Sequence, residues 1–490
     1  KKNWRKKACT QPIFLLLLSA IFCLLSPANA SANNLNASSA SLTGVDLAGG
    51  TIKVQFDISW DNSWRSSTNY DAAWIFVKYS TNAGSSWSHA TLKTSGTNPA
   101  NFSIGTGTAI EIVVPADKKG AFIQRSANGT GSVSTQNIQL VWDYAADGVT
   151  SAATVRVKAF AIEMCYIPQG AFSLGSGGAE TSAFYSYPTT TNPYTVSSEG
   201  AITVGTSAGN LYYPSSPYGG DQSGPVPAAF PKGYNAFYIM KYEASQGQYA
   251  DFLNTITSTQ ASARYPNSNA SYRHTISGSH PNYSASRPDR ACNYLSWLDL
   301  AAYADWAALR PMSELEFEKA CRGTASAVAN EYAWGNTTIT QATTITGAEN
   351  GTETVNGNCS YGSATYGGGD GGQGPLRCGI FATGSSTRES AGASYYGVME
   401  LSGCLWKRPV TVGNSTGRGF TGLQGDGSLA TNGDANVTNW PGTDAVGAGF
   451  RGGNWVDVAT YVRASDRNYA AFTYASRYYH SGARCVRTSP

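Results

Sequence analysis

The alternation of apolar and polar residues in the N-terminal third of the chain is the feature that most constrains its fold. Ile52, Val54, Phe56, Ile58 and Trp60 are separated by single polar residues. Neighbouring side chains of a β-strand point to opposite faces, so this period of two predicts a strand with one buried face. That face needs a second layer of structure to cover it.

The same third of the chain has further strand patterns, which predict an N-terminal β-sandwich. Residues 73–79 and 110–114 are apolar runs, and residues 138–144 and 155–159 alternate again, with Gly, Asn and Ser clusters between them. Short strands separated by turn residues are typical of immunoglobulin-like or fibronectin-like sandwiches. We therefore predict a β-sandwich domain over residues 31–162. Its tryptophans, among them Trp60, Trp74 and Trp142, are expected in the core, with a carbohydrate platform as the alternative.

Beyond residue 163 the pattern changes to short helices and long loops. Ser245 and Ser313 each stand three residues before a Gln or Glu, which is the capping-box signature of a helix start. Residues 296–309 carry apolar side chains at helical spacing. Residues 323–490 have no strong period and are rich in Gly, Thr, Asn and Tyr. The predicted fold class is α+β, with the β-sandwich followed by a loop-rich domain over residues 163–490.

The first thirty residues have the three parts of a secretory signal peptide. Five of the first seven residues are Lys or Arg, an apolar run covers residues 13–25, and Ala28-Asn29-Ala30 follows. The apolar run is shorter than the roughly 20 residues that a membrane-spanning helix needs. We predict that residues 1–30 are a cleaved signal peptide, and that the mature protein is secreted, periplasmic or at the cell surface without a membrane span.

Removal of this segment leaves a nearly neutral chain. The sequence has 34 Lys and Arg against 31 Asp and Glu, and the signal segment contains no acidic residue. Proteins that bind nucleic acid present a basic face. Nucleic acid is therefore not expected as a partner.

Seven cysteines follow the predicted signal peptide, an odd number that leaves at least one thiol unpaired. In an oxidising compartment some of them are expected to pair. Cys359 and Cys378 bracket a Gly-rich loop and are the first predicted disulfide, and the second joins Cys485 to Cys321 or Cys292. A zinc site is the alternative, but the sequence has no C-x-x-C spacing.

Seven short motifs follow one another in the order found in one known family. They are Y-I-P-Q-G-A-F from Tyr166, F-Y-I-M-K-Y-E from Phe237, R-P-M-S-E-L-E-F-E from Arg310, W-G-N from Trp334, G-V-M-E-L-S-G from Gly397, R-G-G-N-W from Arg451 and G-A-R-C from Gly482. On these motifs, residues 163–490 resemble the sulfatase-modifying-factor, or formylglycine-generating-enzyme, family. The resemblance implies a C-type-lectin-like fold for this domain.

The resemblance also implies where catalysis would occur, and there the sequence departs from the family. Family enzymes hold copper with two cysteines after the R-G-G-[SN] turn, and the matching positions are Asp457 and Val462. Copper(I) prefers soft thiolate ligands. No copper and no catalytic residue are therefore expected, and a divergent formylglycine-generating oxidase acting on protein cysteines is the enzymatic alternative.

The family's calcium sites match the sequence only in part. The glutamate of one site corresponds to Lys407, whose ammonium group cannot coordinate Ca²⁺. The other calcium loop is matched to Asn350 and Asp370. One Ca²⁺ ion is therefore the only cofactor considered.

Residues 454–485 have the composition of a recognition surface. Residues 456–490 contain no Lys, Glu, Gln, Met or Trp, and residues 456–481 can all be written with codons that end in a pyrimidine. This segment resembles the variable segment of diversity-generating-retroelement target proteins, in which the adenines of asparagine codons are mutagenised. Tyrosine also gives a large contact area at a low entropic cost. The predicted ligand-binding residues are Val456, Asp457, Tyr461, Asn468, Tyr469, Phe472, Tyr474, Tyr478, Tyr479, His480 and Ser481.

Together these observations predict an exported, non-catalytic protein that binds a protein or a glycan at the cell surface. Two other functions stay open, the divergent oxidase and a structural protein of the cell envelope. In the competing interpretation of residues 454–485, the aromatic side chains pack in a loop-rich core and bind nothing.

Overall fold

The computed structural model describes residues 32–266 and 271–490, and the predicted signal peptide lies outside them. The described residues form an α+β protein with much sheet, few short helices and long loops, as the sequence predicts. This arrangement is consistent with a C-type-lectin-like fold. No helix in the described part of the chain is both long and apolar enough to cross a bilayer.

The strands of the first half of the chain are long, and those of the second half are short. The first ten are β1 (Asn36–Asp46), β2 (Thr51–Arg65), β3 (Asp71–Ser80), β4 (Ser88–His89), β5 (Gly96–Thr97), β6 (Thr106–Gly107), β7 (Ile110–Val114), β8 (Ala121–Arg125), β9 (Gly129–Trp142) and β10 (Arg156–Ile167). The others are β11 (Phe172–Leu174), β12 (Tyr185–Ser186), β13 (Tyr194–Val196), β14 (Leu211–Tyr212), β15 (Phe237–Met240), β16 (Ile276–Ser277), β17 (Ser284–Ala285), β18 (Arg310–Pro311), β19 (Ile345–Thr346), β20 (Thr354–Val355) and β21 (Cys485–Thr488).

The helices lie mainly in the middle of the chain. They are α1 (Gln246–Leu253), α2 (Ser258–Arg264), α3 (Trp297–Trp306), α4 (Glu314–Arg322) and α5 (Ser415–Arg418), and a 3-10 helix covers Ala32–Asn34. Ser245, Ser296 and Ser313 cap α1, α3 and α4 in capping boxes, which confirms the three predicted helix starts. A fourth capping box at Thr257 begins α2, which the sequence analysis missed.

Two antiparallel sheets face each other across an apolar core in the N-terminal third. One has the strand order β1-β2-β9-β6, and β10, β3, β8, β7 and β5 belong to the other. Val54, Phe56, Ile58 and Trp60 of β2 are buried in the core between them. This burial confirms the strand that the period-two alternation predicted.

The second sheet continues into the C-terminal part of the chain, so a separate β-sandwich is not confirmed. β10 pairs with β3 along most of its length, and its last four residues pair with β15. The order then runs through β21 to β18. The predicted boundary between residues 162 and 163 falls inside β10 and stays a prediction.

β3 is the centre of this shared sheet and is buried on both faces. One face joins the core between the two sheets, and the other carries Trp74 and Phe76 into the core of the C-terminal part. Trp74 donates a hydrogen bond from Nε1 to the carbonyl of Ala307 at 2.8 Å, and the ring of Phe76 packs edge-on against Trp306. Burial on both faces explains why residues 73–77 are all apolar and do not alternate with polar residues. Trp60, Trp74 and Trp142 are all core residues.

The cysteines of residues 165–485 are all buried and free, so the structure does not form either predicted disulfide. Cys359 directs its thiol to the carbonyl of Ser402 at 3.4 Å, and Cys378 directs its thiol to that of Glu243 at 3.5 Å. Cys321 and Cys485 also belong to different apolar clusters. Cys292, the alternative partner of Cys485, lies in the same cluster as Cys485, but both are free. Cys359 and Cys378 belong to different clusters, because closeness in sequence does not fix the direction of a side chain.

Candidate functional site

The backbone of residues 454–484, hereafter the tail, is held by buried charges supplied by α4. It contains turns and one isolated bridge, between Ser481 and Trp406, and no helix or strand. Arg451, just before it, donates to Glu314 Oε2 at 3.0 Å and Glu318 Oε1 at 2.7 Å, and its guanidinium also reaches the carbonyls of Ala464 and Asp466 at 2.9 Å. The tail has no β-sheet hydrogen bonds of its own, so these bonds from Arg451 to its backbone carbonyls hold it in place.

A second buried arginine fixes the middle of the tail. Arg467 makes two hydrogen bonds to the Glu314 carboxylate, at 2.8 and 3.0 Å, and its guanidinium lies 3.9 Å from the ring centroid of Phe184. Burial would raise the pKa of Glu314, but Arg467 and Arg451 outweigh it and hold this pKa below its usual value. Glu314 therefore stays ionised at neutral pH and keeps its ion pair with Arg467 of the tail.

The last part of the tail is pinned by side chains from the region of α3. Asp299 accepts two hydrogen bonds from Arg477, at 2.7 and 2.8 Å. Asn293 donates from Nδ2 to the carbonyl of Tyr479 at 3.1 Å, and Trp406 donates its backbone N–H to that of His480 at 2.9 Å. The anchoring contacts thus use main-chain atoms and arginines, and they leave the aromatic side chains of the tail available.

Those aromatic side chains form one continuous surface, which we name the aromatic surface. Tyr469 and Phe472 are 5.6 Å apart between ring centroids, Phe472 and Tyr474 6.2 Å, Tyr474 and Tyr478 5.7 Å, and Tyr478 and Tyr479 4.6 Å. Tyr461 extends the surface at one end and His480 at the other. Tyr478 is 37% exposed and the other rings are half-buried.

Three tyrosines from distant segments complete the aromatic surface, and the sequence analysis missed all of them. Tyr218 packs on Phe472 at 4.7 Å, Tyr272 stacks on Tyr479 at 4.4 Å, and Tyr294 lies 6.4 Å from Tyr479. Each has a positive φ, of 45°, 49° and 61° respectively. This left-handed region is strained for residues other than glycine and is concentrated at functional sites. The only sequence signal was a tyrosine in a loop rich in small residues.

The remaining predicted residues differ in how accessible they are. Asn468 and Ser481 are buried, at 6% and 1% exposure, and do not contribute to the surface as the structure places them. Val456 is half-buried against Trp455 and Leu405. Val458 was not predicted, but it is 59% exposed in the same segment.

Two titratable groups of the tail are shifted toward their neutral forms. Burial raises the pKa of Asp457 to about 7, although its Oδ2 accepts hydrogen bonds from the backbone and the side chain of Asn454. Burial lowers the pKa of His480 to about 4. At neutral pH the histidine is therefore uncharged, and the surface is largely apolar with phenolic hydroxyl groups at its edges.

The positions that match the family's copper ligands do not fit a copper site. Val462 is fully buried in an apolar cluster with Tyr332, Trp334 and Cys359. Asp457 is bonded to Asn454, and Cys359 is the one thiol in the cluster. A hard carboxylate, a valine and one thiol are not the soft donor set that copper(I) requires.

The positions considered for calcium are occupied by internal contacts. Asp370 is ion-paired with Arg273 and Arg290, and Oδ1 of Asn350 accepts two hydrogen bonds from Thr352. Lys407 places its ammonium group 3.1 Å from Glu243 and bonds to the carbonyl of Gly403 at 2.5 Å. These contacts do not fit a calcium ion, because Ca²⁺ needs six or more free oxygen ligands. Within residues 32–266 and 271–490, no group of three or more His, Cys, Asp or Glu is placed to hold a metal.

The C-terminal two-thirds of the chain matches a known protein family. A family model described as the sulfatase-modifying factor enzyme 1-like domain matches residues 163–489. A comparison with curated proteins gave no significant match. Among solved structures, the chain is similar to Treponema denticola variable protein 1, with 14% identity over 67% of this chain and 96% of that chain and a TM-score of 0.31. A TM-score this low supports no conclusion about fold or function.

Proposed function

Because this chain belongs to the sulfatase-modifying factor enzyme 1-like family and has no thiolate pair where the family's copper would bind, we propose that it is a non-catalytic, exported ligand-binding protein. The ligand contacts the aromatic surface, on a C-type-lectin-like scaffold. Its ligand is a protein or a glycan at the cell surface.

The observation that supports this proposal is that two different sets of residues anchor the tail and form its outer surface. Arg451 and Arg467 bind the buried carboxylates of α4, whereas Tyr469, Phe472, Tyr474 and Tyr478 make no contact with those charges in the described residues. Substitutions on the surface would therefore leave the anchoring contacts intact. Tyrosine-rich surfaces on a rigid frame are the usual form of a binding paratope.

The same separation suits a segment that varies in sequence, so we include diversification in the proposal. Tyr469, Phe472, Tyr474 and Tyr478 can change to Asn, Asp, His or Ser without burying a charge. A genomic search for a reverse transcriptase and for a near-copy of the tail's coding sequence tests this part. Absence of both would contradict it.

A display library tests the binding role directly. The nine accessible predicted positions are randomised, and the library is selected against hen egg lysozyme as a probe protein. The control library randomises nine positions on the outward face of the β1-β2-β9-β6 sheet. We expect a folded majority in both libraries, but binders with micromolar or better Kd from the tail library alone. A tail library that does not fold, or that gives no more binders than the control, contradicts the proposal.

A matched pair of variants separates binding from stability. Tyr478 and Tyr395 are 37% and 41% exposed, but only Tyr478 belongs to the aromatic surface. In a selected binder that retains Tyr478, Tyr478→Ala should weaken binding at least tenfold and Tyr395→Ala should leave it unchanged. Both should leave the free energy of unfolding within about 0.5 kcal/mol, because exposed positions contribute little to stability. A large stability loss in Tyr478→Ala would place that ring in the core.

The divergent oxidase has no supporting observation in the site. A copper-binding assay with a cysteine-containing peptide as substrate tests it, and tight Cu(I) binding with turnover would overturn the proposed function.

A further inference from the structure

A cleft of about 630 Å³ opens beside the aromatic surface, at the Tyr272 end. Its lining includes Tyr272, His274, Arg290, Asp370 and Gln373. None of these side chains was predicted to act in binding, apart from Asp370 as a calcium ligand. The cleft is continuous with the aromatic surface, because Tyr272 stacks on Tyr479.

His274 presents an unused hydrogen-bond acceptor in this cleft. Its Nδ1 lies 2.9 Å from Oδ1 of Asn293, while Nδ2 of Asn293 donates to the carbonyls of Tyr272 and Tyr479. Since the amide NH₂ is committed to two carbonyls, its oxygen must accept, and Nδ1 of His274 must carry the proton. Nε2 is then an acceptor, and it has no hydrogen-bond partner among the described residues.

The imidazole keeps this acceptor at neutral pH. His274 is 2% exposed, and burial lowers its pKa to about 4. A buried polar atom without a partner is costly, so such atoms in native proteins are usually satisfied by a ligand or an ordered water. Nε2 of His274, a side chain that lines the cleft, is thus an unpaired acceptor that an O–H or N–H group of a ligand would satisfy.

Arg290 supplies the complementary donor. Its Nη2 is bonded to Glu349 at 2.8 Å and Asp370 at 2.7 Å, but its Nε has no partner among the described residues. Arg290 is also 2% exposed. Two buried side chains that line the cleft thus carry one unpaired acceptor and one unpaired donor, a pair that suits a hydroxyl-rich ligand.

The two arginines that line the cleft are neutralised by Asp370, which also lines it, and by the neighbouring Glu349. Arg273 and Arg290 both pair with Glu349 and with Asp370. Burial alone would raise the pKa values of the two carboxyl groups, but the arginines, Arg273 foremost, hold both below their usual values. Two cations thus meet two anions, and the cleft does not select an ionic ligand.

Tyr272 gives the cleft a flat apolar wall. Its side chain is 39% exposed, and its ring is braced by Tyr479 at 4.4 Å and by Trp455 at 5.3 Å. A braced aromatic ring beside neutral polar groups matches a pyranose, which has one C–H face and a rim of hydroxyl groups. We propose that this cleft binds a neutral sugar residue. The proposal deepens the proposed function by naming a glycan as the chemical class bound at the Tyr272 end.

Saturation-transfer NMR on the full chain tests the proposal with the methyl glycosides of glucose, galactose, mannose and N-acetylglucosamine as probes. We expect transfer to at least one glycoside, with a Kd on the order of 1 mM. Tyr272→Ala should abolish the signal and His274→Phe should weaken binding at least tenfold. Tyr395→Ala, which removes an exposed tyrosine outside both the cleft and the aromatic surface, should leave the signal unchanged.

Two outcomes overturn the proposal: no glycoside gives a signal, or the signal persists in Tyr272→Ala and His274→Phe. Tyr272 is exposed, so Tyr272→Ala keeps the test decisive if His274→Phe does not fold. The display library changes only tail positions. Success of that library alongside silent glycosides would therefore overturn the sugar cleft and leave the proposed function standing.

Discussion

At the residue scale, buried arginines anchor the tail, and tyrosines form its outer surface. Arg451 and Arg467 are fully buried and paired with carboxylates of α4. Removal of one partner of such a pair is expected to cost several kcal/mol, because a charge is left uncompensated. Accessible tyrosines nearby tolerate exchange at little cost. Neighbouring positions in one loop are thus under opposite constraints.

Asp457 makes the stability of the tail depend on pH. Its pKa is raised by burial to about 7, above the unfolded value near 4, so the folded state binds more protons between these pH values. The free energy of unfolding therefore falls as pH rises from about 4 to about 7. Asp457→Asn should be more stable than the parent at pH 8, by roughly 1 to 2 kcal/mol for a partly exposed group. The difference should vanish near pH 4.

Chemical denaturation at pH 4, 6 and 8 measures this difference, with Asp444→Asn as the control at an exposed aspartate. A difference between Asp457→Asn and the parent that does not change with pH would show that the carboxyl group titrates normally.

The seven cysteines of residues 165–485 give a second prediction at this scale. All are buried, and burial raises the pKa of Cys321 and of Cys359 to about 12, so the folded protein should react slowly with a thiol reagent. In denaturant these residues should contribute seven reactive thiols, and Cys359→Ser should lower the count by one. If Cys359 and Cys378 were bridged, the same substitution would raise the count by one.

At the element scale, α4 supplies the carboxylates that bind Arg451 and Arg467 and so hold the tail. The capping box at the start of α4 can be tested by mutation. Ser313 accepts from the backbone N–H of Glu316 at 3.1 Å and donates to the carbonyl of Pro231 at 2.7 Å. Ser313→Ala should cost about 2 kcal/mol of unfolding free energy, at the upper end for a cap, because it also removes the donor to the partly buried carbonyl of Pro231.

Thr257→Ala is the matched comparison for this prediction. Thr257 caps α2 with the same box, but it is exposed, and its side chain has no further hydrogen-bond partner among the described residues. It should cost about 1 kcal/mol. Equal costs in urea unfolding would show that the bond from Ser313 to Pro231 does not stabilise the fold.

Single elements were predictable from the sequence because their signals are local. The alternation around Phe56 located β2, and the apolar run of residues 110–114 matches β7. Serine capping boxes located α1 and α4, and apolar side chains at helical spacing located α3. α2 was missed because its residues, S-T-Q-A-S-A-R, show no apolar period, although the box at Thr257 is readable.

Local sequence patterns did not predict which distant strands pair with each other. Nothing near β10 indicates that Cys165 lies opposite Ile239, or that β21 enters the same sheet. The composition of the tail suggested its candidate binding residues, and their role stays a prediction. Tyr218, Tyr272 and Tyr294 could not, because their place in the site depends on how three loops pack.

At the scale of the whole molecule, the shared sheet joins the two sequence regions into one packed body. Arg487 of β21 is bonded to Asp117 at 2.6 Å and lies 4.2 Å from the ring centroid of Trp74 in β3. Contacts of this kind cross the predicted domain boundary. The two regions should therefore unfold together, in a single calorimetric transition.

Asp117→Asn tests this coupling, because it leaves Arg487 without its carboxylate. We expect the whole transition to shift, with a loss of about 1 to 3 kcal/mol. Lys93→Ala, which breaks the more exposed Lys93–Asp143 pair within the N-terminal third, should change stability by less than about 0.5 kcal/mol. Two separate transitions, of which Asp117→Asn shifts only one, would show that the regions fold independently.

The ring network has an optical consequence. Trp406 lies 5.6 Å from Tyr469 and Trp455 lies 5.7 Å from Tyr479, measured between ring centroids. Excitation absorbed by the outer phenols will pass over such distances to these two indoles, which then emit. A ligand that binds to these tyrosines changes the surroundings of the rings. The tryptophan emission of the protein should therefore report ligand binding without an added dye.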